Sequence, residues 1–498
     1  MKSRSVLEAE HTLVEHGFEL VNDSSHVRWK ASNNEHPRNW SIKRKSYDMV
    51  VILLLEFFTT AVSTAGATTA KHARRELDVG YTVSILIYMS TYQIGQGIGN
   101  IVFPPYSEAF GRKKLYIISA TFYAAFCAVI AACPSPAAAS VSRLITGFLS
   151  AIPSVVVCGS IEDMFNSKSR AWMIYLYIAA TNCGISFGPI MSAYITSTLG
   201  WKWIFYVAAI VTGTLAILLL AIKESRPSLL LGRHVERLRK ITGNPDLRPL
   251  DPDQIPDLKA FARIALFRPL HLLVLEPIVL ATALMSGVAN GLLYLFTETI
   301  PPIYQSFGFS ENEASLPFLA FAVALIANGA MRVVDRTHTS KISGDNQPVP
   351  PEGRLLGLSL GVPILAVGLW LFAWTVPPLT HVHWLVSAFA LLLVGFSLNE
   401  FCTVVIVYLA DIYLNHATSA TAALSIVRAS LGAVFPLFAP QMFETLGPNI
   451  AASVLAAIAT VFCIVPPLFK RYGELLRRKS KFSHYSKQVY GETAVDGE

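Results

Sequence analysis

The chain has 498 residues, of which 53% are hydrophobic and 15% are charged, and its formal net charge is +7 at pH 7. A water-soluble globular chain carries roughly 25% charged residues, so this composition excludes a protein made mainly of soluble domains. The basic residues cluster in loops beside apolar segments, which indicates loops retained in the cytoplasm and argues against nucleic-acid binding.

A polar, charge-mixed arm over residues 1–47 comes first, and it shows no signal-peptide pattern. Twelve apolar segments follow, each near the roughly 20 residues that a helix needs to cross a bilayer. We predict spans over residues 48–70, 83–103, 115–133, 139–161, 172–195 and 203–222, and then over 272–297, 314–334, 355–376, 383–408, 418–440 and 451–469.

These spans predict two six-helix bundles, over residues 48–222 and 272–469, with a cytoplasmic basic tail over 470–498. A connector over residues 223–271 separates the bundles, since Pro245, Pro249, Pro252 and Pro256 interrupt any continuous helix. Within it, apolar residues recur at helical spacing opposite basic ones: Leu231, Val235, Leu238 and Ile241. Such a helix either lies on the anionic inner leaflet or is a linker helix touching the underside of the protein.

The loops rich in lysine and arginine fall on one side of the membrane if every segment crosses once, so both termini are predicted to be cytoplasmic. One outer loop disagrees, because it carries Lys71, Arg74 and Arg75. The halves also resemble each other. Residues 77–82 and 308–312 precede the second and eighth spans, and residues 108–114 and 332–336 follow them. Many secondary transporters are built from such repeats, with the substrate site between them.

Several motifs resemble the major facilitator superfamily, specifically its fungal drug:proton antiporter branch, over nearly the whole chain from Pro37 onward. They are Pro37–Ser41 (PRNWS), Pro105–Lys114 (PYSEAFGRKK), Pro351–Leu355 (PEGRL), Arg428 and Pro467–Gly473 (PLFKRYG). The resemblance implies an all-α fold of twelve transmembrane helices in two pseudo-symmetric bundles, which exports a small organic molecule in exchange for protons. We expect a monomer in the lipid bilayer of the plasma membrane.

The loop after the second span predicts a latch. Glu108 can accept charge-assisted hydrogen bonds from Arg112 or from a neighbouring helix end, with Gly111 and Lys113 in the same motif. The alternative is simple anchoring of the loop by its basic residues. Gating roles are also predicted for Glu298, at the outer end of the seventh span, and for Asp411, at a cytoplasmic helix end.

The fifth span contains a helix-packing motif. Gly184 and Gly188 are one helical turn apart, so a neighbouring backbone can approach them closely, and Pro189 permits a bend. Static packing of small residues explains the pattern equally well.

Ionisable residues inside the spans are the strongest signal, because such a charge costs about 2.5 to 3.5 kcal/mol at a helix centre. Glu56 or Glu400, beside Asn399, is predicted to carry the proton, with Arg428 as a partner charge. The alternative is a fixed Glu400–Arg428 ion pair that only orients helices. The resemblance implies that Arg143 assists proton transfer; alternatively it reaches the outer interface.

We find no phosphate-binding loop, no metal-ligand cluster and no nucleophile motif, so the chain is predicted to be neither an enzyme nor an ATP-driven pump, and to need no cofactor or metal. Transport of a defined organic acid, polyamine or nutrient on the same fold is the main alternative, since a fold does not determine its substrate. A membrane sensor that does not transport is a further alternative.

Overall fold

A computed structural model describes residues 17–20, 26–30, 32–242, 245–250, 267–343, 353, 355–379, 382–413 and 417–479. The first half contains helices α1 (Ile42–Thr64), α2 (Gly66–Glu76), α3 (Tyr81–Ile85), α4 (Thr91–Phe110), α5 (Arg112–Ala132), α6 (Pro136–Met164), α7 (Ser167–Leu199), α8 (Lys202–Leu220) and α9 (Pro227–Thr242). The second half contains α10 (Arg268–Leu275), α11 (Pro277–Ser306), α12 (Leu319–Ser343), α13 (Leu356–Thr375), α14 (Trp384–Tyr413), α15 (Ala417–Leu446), α16 (Pro448–Phe462) and α17 (Val465–Lys479).

Short non-α elements complete the described chain. They are 3-10 turns at Pro37–Asn39 and Glu313–Phe318, a π turn at Leu86–Ser90, and strands β1 (Phe18–Leu20), β2 (His26–Trp29) and β3 (Arg248–Pro249). Eleven helices of the described residues are long and apolar enough to cross a membrane. The predicted second span lies in α3 and α4, which the π turn joins into one helical segment over residues 81–110. The predicted helical, membrane-spanning fold is therefore confirmed.

The two halves repeat one packing scheme. In the first half α1 packs on α7, α4 on α6 and α5 on α8; in the second half α11 packs on α15, α12 on α14 and α13 on α16. In each half, the first crossing thus packs on the fifth, the second on the fourth and the third on the sixth. The halves meet most extensively where α4 lies against α15. Rocking about such an interface is how many transporters built from repeats expose a central site to each side in turn.

Close approach of α1 and α7 depends on glycine. A Cβ atom added to Gly184 would collide with the carbonyl oxygen of Phe57, and one added to Gly188 would collide with Ala61 and Thr64. Pro189 lies inside α7, directly after this contact. The small residues therefore bring the two backbones into direct contact.

The amino-terminal arm forms a small sheet that an all-helical prediction omits. β2 pairs antiparallel with β1 and parallel with β3, which belongs to the connector. The sheet and α9 bury a common apolar cluster of Phe18, Val27, Leu231, Val235, Leu238 and Leu247. The prediction that this helix lies on the inner leaflet is wrong, because the amino-terminal arm covers its apolar face. The periodicity of the helix shows that this face is apolar but not what packs against it. Ile241, at the end of the face, is 64% exposed.

Candidate substrate and proton pathway

Glu56 is a buried carboxylate near the middle of the apolar part of the first crossing. It lies two-thirds of the way along α1 and is 2% exposed. The hydroxyl of Thr181, on α7, donates a hydrogen bond of 3.1 Å to its Oε1 atom. The glycines of α7 place that donor within reach, because they allow the two helices to touch.

Arg428 lies near the middle of α15, in the other half of the protein, and its side chain is half-buried. It interacts electrostatically with Glu56, and also with Tyr177 on α7 and Tyr294 on α11. The side chain of Asn290 donates a 3.0 Å hydrogen bond to the Arg428 carbonyl oxygen. A carboxylate of one half therefore interacts electrostatically with a guanidinium of the other, without a direct contact among the described residues.

Direct polar contacts join the halves beside these charges. The hydroxyl groups of Tyr294 and Ser63 are 2.9 Å apart, and the Ser90 hydroxyl donates to the Ala433 carbonyl oxygen at 2.7 Å. Ser63 and Ser90 lie in the first half, and Tyr294 and Ala433 in the second. The centre of the interface is thus packed and polar in this conformation.

Arg143 is completely buried on α6, so the prediction that it reaches the outer interface is wrong. Its Nε donates to the carbonyl oxygen of Tyr88 at 2.8 Å, and its Nη2 also donates to that of Ser63 at 3.3 Å. Its guanidinium carbon lies 4.5 Å from the ring centre of Tyr92. These carbonyls are accessible because α1 ends at Thr64 and a π turn interrupts the second crossing, as such turns often do at functional sites.

Glu400, on α14, is 1% exposed and pairs within its own half. Its carboxylate accepts a hydrogen bond from the Arg332 guanidinium and a 2.9 Å hydrogen bond from the Asn328 amide, both on α12. A Glu400–Arg428 pair is therefore a wrong prediction: the cation that neutralises Glu400 is Arg332.

Asn399 lies beside Glu400 but points elsewhere. Its amide nitrogen donates to the Gly395 carbonyl oxygen at 2.9 Å, and its Oδ1 is buried without a hydrogen-bond donor among the described residues. It lines a cavity of about 10 Å³ together with Asn182, Ser186 and Phe321. That volume holds about one water molecule, which could satisfy the orphaned oxygen.

The predicted latch motif is organised by two carboxylates that sequence reasoning did not pair with it. Arg112 donates from Nε to Asp163 of α6 at 2.5 Å, and both side chains are buried. Glu224 accepts from the backbone N–H groups of Arg112 at 2.9 Å and of Lys113 at 3.1 Å. A carboxylate that accepts hydrogen bonds from these backbone N–H groups caps α5. Its negative charge also interacts favourably with the positive end of the helix dipole. The side chains of Glu108 and Asp411 lie outside what the structure describes.

Gly111 is required at the start of this motif. Its φ is +88°, a conformation that other residues rarely adopt, and a Cβ there would lie 2.5 Å from the Glu224 carboxylate. The only sequence signal for Glu224 is its position just after the sixth span.

The two buried ion pairs are counterparts of each other. In each half an arginine from the end of the second crossing or just after it, Arg112 or Arg332, pairs with an acid of the fourth crossing, Asp163 or Glu400. The similarity between residues 108–114 and 332–336 thus has a structural basis.

Polar contacts also join the halves at the end that contains the loop after α2. The Tyr81 hydroxyl donates to Glu298 at 2.5 Å, and Glu298 is 8% exposed. Lys71 donates to Glu311 at 2.5 Å, and the Gln441 amide donates to Thr82 at 2.9 Å. The hydrogen bond from Lys71 holds the pKa of Glu311 below its ordinary value.

Two matched bundles with buried charges at their interface define a multi-pass membrane transporter of the two-bundle class. The chain belongs to the Major Facilitator Superfamily, whose family model matches residues 51–436. It is therefore a transporter of small organic substrates and not an enzyme.

Relatives support the resemblance to fungal drug transporters. The efflux pump radE of Floropilus chiversii is 30% identical over 466 residues, which cover 92% of this chain and 86% of that protein. The multidrug transporter FLU1 of Candida albicans is 30% identical over 455 residues, covering 90% and 74%. The crystal structure of a D-xylose–proton symporter shares the fold at 14% identity, with a TM-score of 0.59 over 85% of this chain and 96% of that one.

Proposed function

We propose that this transporter exports small organic molecules in exchange for protons, with Glu56 as the group that carries the proton. The observation that carries the proposal is a carboxylate buried within a membrane-spanning helix, with a hydroxyl donor on α7 and an electrostatic interaction with a half-buried guanidinium of the other half. A charge held inside a membrane is costly and is retained mostly for function. The names of two relatives, an efflux pump and a multidrug transporter, support export.

Glu400 is the weaker candidate for the proton site. It already has a guanidinium and an amide as partners within its own half, so its charge is neutralised locally. Removing one partner of such a buried pair is expected to disturb folding before it disturbs coupling. We assign Glu400, with Arg332, to holding α12 against α14.

The protein is proposed to work as a monomer in the plasma membrane, with its termini, the connector over residues 223–271 and the tail over 470–498 in the cytoplasm. In that orientation Tyr81–Glu298, Lys71–Glu311 and Thr82–Gln441 form an outer gate, which must separate when the bundles over 48–222 and 272–469 rock apart. The latch motif, from Glu108 to Lys113, and Asp411 would gate the opposite end.

The test first measures which compounds of a toxic panel the protein exports, in cells that lack their own drug exporters. Transport of one such compound is then measured in proteoliposomes loaded with it. A one-unit pH gradient supports up to a tenfold substrate gradient for one-to-one exchange, since one pKa or pH unit is 1.36 kcal/mol. We expect Glu56→Gln to lose this gradient while retaining exchange of labelled for unlabelled substrate. Glu162→Gln, an exposed acid on α6, is the matched control. Uphill transport by Glu56→Gln equal to that of the wild type would contradict the assignment.

A further inference from the structure

α10 exposes an apolar face outside the crossing that it precedes. α11 alone is 30 residues long, about 45 Å at the helical rise, which already exceeds the roughly 30 Å of membrane hydrocarbon. The extended backbone of Glu276 separates the two helices, and Leu272 is buried on the inner side of α10. Three large apolar side chains of this segment are exposed at helical spacing: Phe267, Leu270 and Val274, of which Val274 is 78% exposed. α10 therefore lies beyond the hydrocarbon and still presents apolar side chains to its surroundings.

α17 carries a second exposed apolar face at the same end of the second half. Its Phe469 is buried, and the centre of that ring lies 5.7 Å from the ring centre of Tyr408 on α14. Its exposed side also holds three apolar side chains at helical spacing: Leu468, Tyr472 and Leu475. The end of α14 joins both places, because the Tyr413 hydroxyl donates to Glu276 at 3.0 Å. α10 and α17 thus flank the start of the seventh crossing.

The apolar stripe of α17 continues past the hydrocarbon. The segment Pro448–Leu475 has 28 residues, about 42 Å at the helical rise, and the chain turns at Cys463 and Ile464 before α17 begins. By the same measure Lys470 and Arg471 lie about 33 Å from the start of this segment, at the depth of the lipid headgroups. The turn allows α17 to leave the direction of α16, so that its apolar face follows the membrane surface.

The charge on both helices is strongly positive. α17 contains five basic residues and one acid, Glu474, and α10 contains one arginine and no acid. The basic residues are Arg268, Lys470, Arg471, Arg477, Arg478 and Lys479. Lys470 and Arg471 are both exposed. A basic segment beside a membrane attracts anionic lipids, and each lysine or arginine near the surface strengthens that attraction about fivefold.

Continuity with the lipid-facing surface indicates what covers these two faces. Exposed apolar side chains run along α16 and the turn after it towards α17: Ile450, Val454, Ile458, Val461 and Ile464. On α11 the exposed Leu280 and Leu284 continue from α10 in the same way. The surface is therefore apolar where it joins the acyl chains and basic beyond them. An anionic phospholipid has the same order, with its chains inside the membrane and its charge at the surface.

We propose that α10 and α17 together form a binding surface for anionic phospholipids, here called the basic rim (residues 267–275 and 465–479). The acyl chains pack against the apolar stripes, and the headgroup phosphate accepts charge-assisted hydrogen bonds from Lys470 and Arg471. The inference goes beyond the proposed function and takes only the orientation from it. In that orientation the basic rim faces the inner leaflet, which is the anionic one. The first and last crossings of the second half are thereby attached to one leaflet.

The experiment measures quenching of a bimane label at Leu475→Cys and, separately, at Val274→Cys in the full chain without its native cysteines. The vesicles are mostly phosphatidylcholine with a minor share of phosphatidylserine, and the acyl chains of one lipid or of the other are brominated. Per mole of lipid, we expect phosphatidylserine to be preferred about 5- to 30-fold at Leu475, the attraction of one or two basic side chains. A smaller preference is expected at Val274, where α10 supplies one arginine.

Two exposed positions serve as controls for the label. Ile450→Cys lies in the first turn of α16, at the opposite end of the last crossing, and should be quenched equally by both lipids. Ile241→Cys lies on α9, whose apolar face the arm covers, and should be quenched by neither lipid. Both vesicle preparations contain phosphatidylserine in the two leaflets, so the result does not depend on the orientation of the protein.

Lys470→Gln combined with Arg471→Gln should remove most of the preference at Leu475, and high salt should do the same in the wild type by screening the charges. Arg233→Gln combined with Lys240→Gln, which alters two exposed basic residues of α9, is the matched control and should keep the full preference. Equal quenching by both lipids in the wild type would overturn the inference. Quenching by neither lipid would overturn it too, since water or another protein would then cover the basic rim.

The salt dependence decides if the double variant does not fold: a preference that high salt leaves unchanged would refute the role of the charges. Every outcome is measured without transport. Failure of the basic rim therefore leaves proton-driven export untouched, and failure of export in the proteoliposome assay leaves the basic rim untouched.

Discussion

Removing the charge of Asp163 should destabilise the protein strongly. Asp163 and Arg112 are 7% and 6% exposed, so the guanidinium cannot recover water when its partner is lost. Its other acceptors, the Ser107 hydroxyl and the Val156 carbonyl, are both at 3.5 Å and bind weakly. Breaking a buried ion pair from one side costs roughly 3 to 5 kcal/mol. Asp163→Asn retains the shape and one acceptor, so we expect about 3 kcal/mol, the lower end of that range.

The measurement is the free energy of unfolding from titration with a denaturing detergent in mixed micelles. Glu162→Gln is a matched control, because Glu162 neighbours Asp163 and pairs with Arg170 at 3.3 Å, with side chains 64% and 40% exposed. An exposed pair of this kind contributes about 0 to 1 kcal/mol. The two substitutions therefore differ in burial and little else.

A second variant separates the buried charge from other effects. Arg112→Met combined with Asp163→Asn leaves no unpaired charge, so most of the lost stability should return. The backbone N–H of residue 112 can still donate to Glu224, which keeps α5 capped. If Asp163→Asn costs no more than Glu162→Gln, or if the double variant is the less stable, the burial argument fails.

Three further predictions follow from the same contacts. Arg332→Gln leaves a buried carboxylate with one amide donor and should cost about 3 kcal/mol or more in the same titration. Gly188→Ala should push α7 away from α1 and lower the free energy of unfolding by about 1 to 3 kcal/mol. Gly213→Ala is the control and should be neutral, because the nearest neighbour of its Cβ would lie at 3.9 Å. Equal effects of the two substitutions would refute the packing argument. Glu311→Gln should cost at most about 1 kcal/mol, because Glu311 and Lys71 are both half-exposed. Since the pKa of this carboxylate is lowered in the folded protein, the difference from wild type is present above pH 4.5 and disappears as the pH falls below it.

Several features of this protein are determined by the sequence alone. A helix needs a fixed number of apolar residues to cross a bilayer, so the spans and the two-half organisation follow from hydropathy and from the repeated loop motifs. The intramembrane positions of Glu56, Glu400 and Arg428 follow equally, because a charge inside an apolar segment is visible without any tertiary contact. The close helix approach at Gly184 and Gly188 is likewise a property of local spacing.

The partners of those charges were decided only by the tertiary structure. Glu400 meets Arg332 68 residues away, Arg112 meets Asp163 51 residues away, and Glu224 caps a helix that begins 112 residues before it. The arm covers α9 through the same kind of distant contact. Periodicity is a local property of the sequence, and it shows which face of a helix is apolar or charged. The partner that neutralises a buried charge is set instead by which residues lie next to that charge in the folded protein.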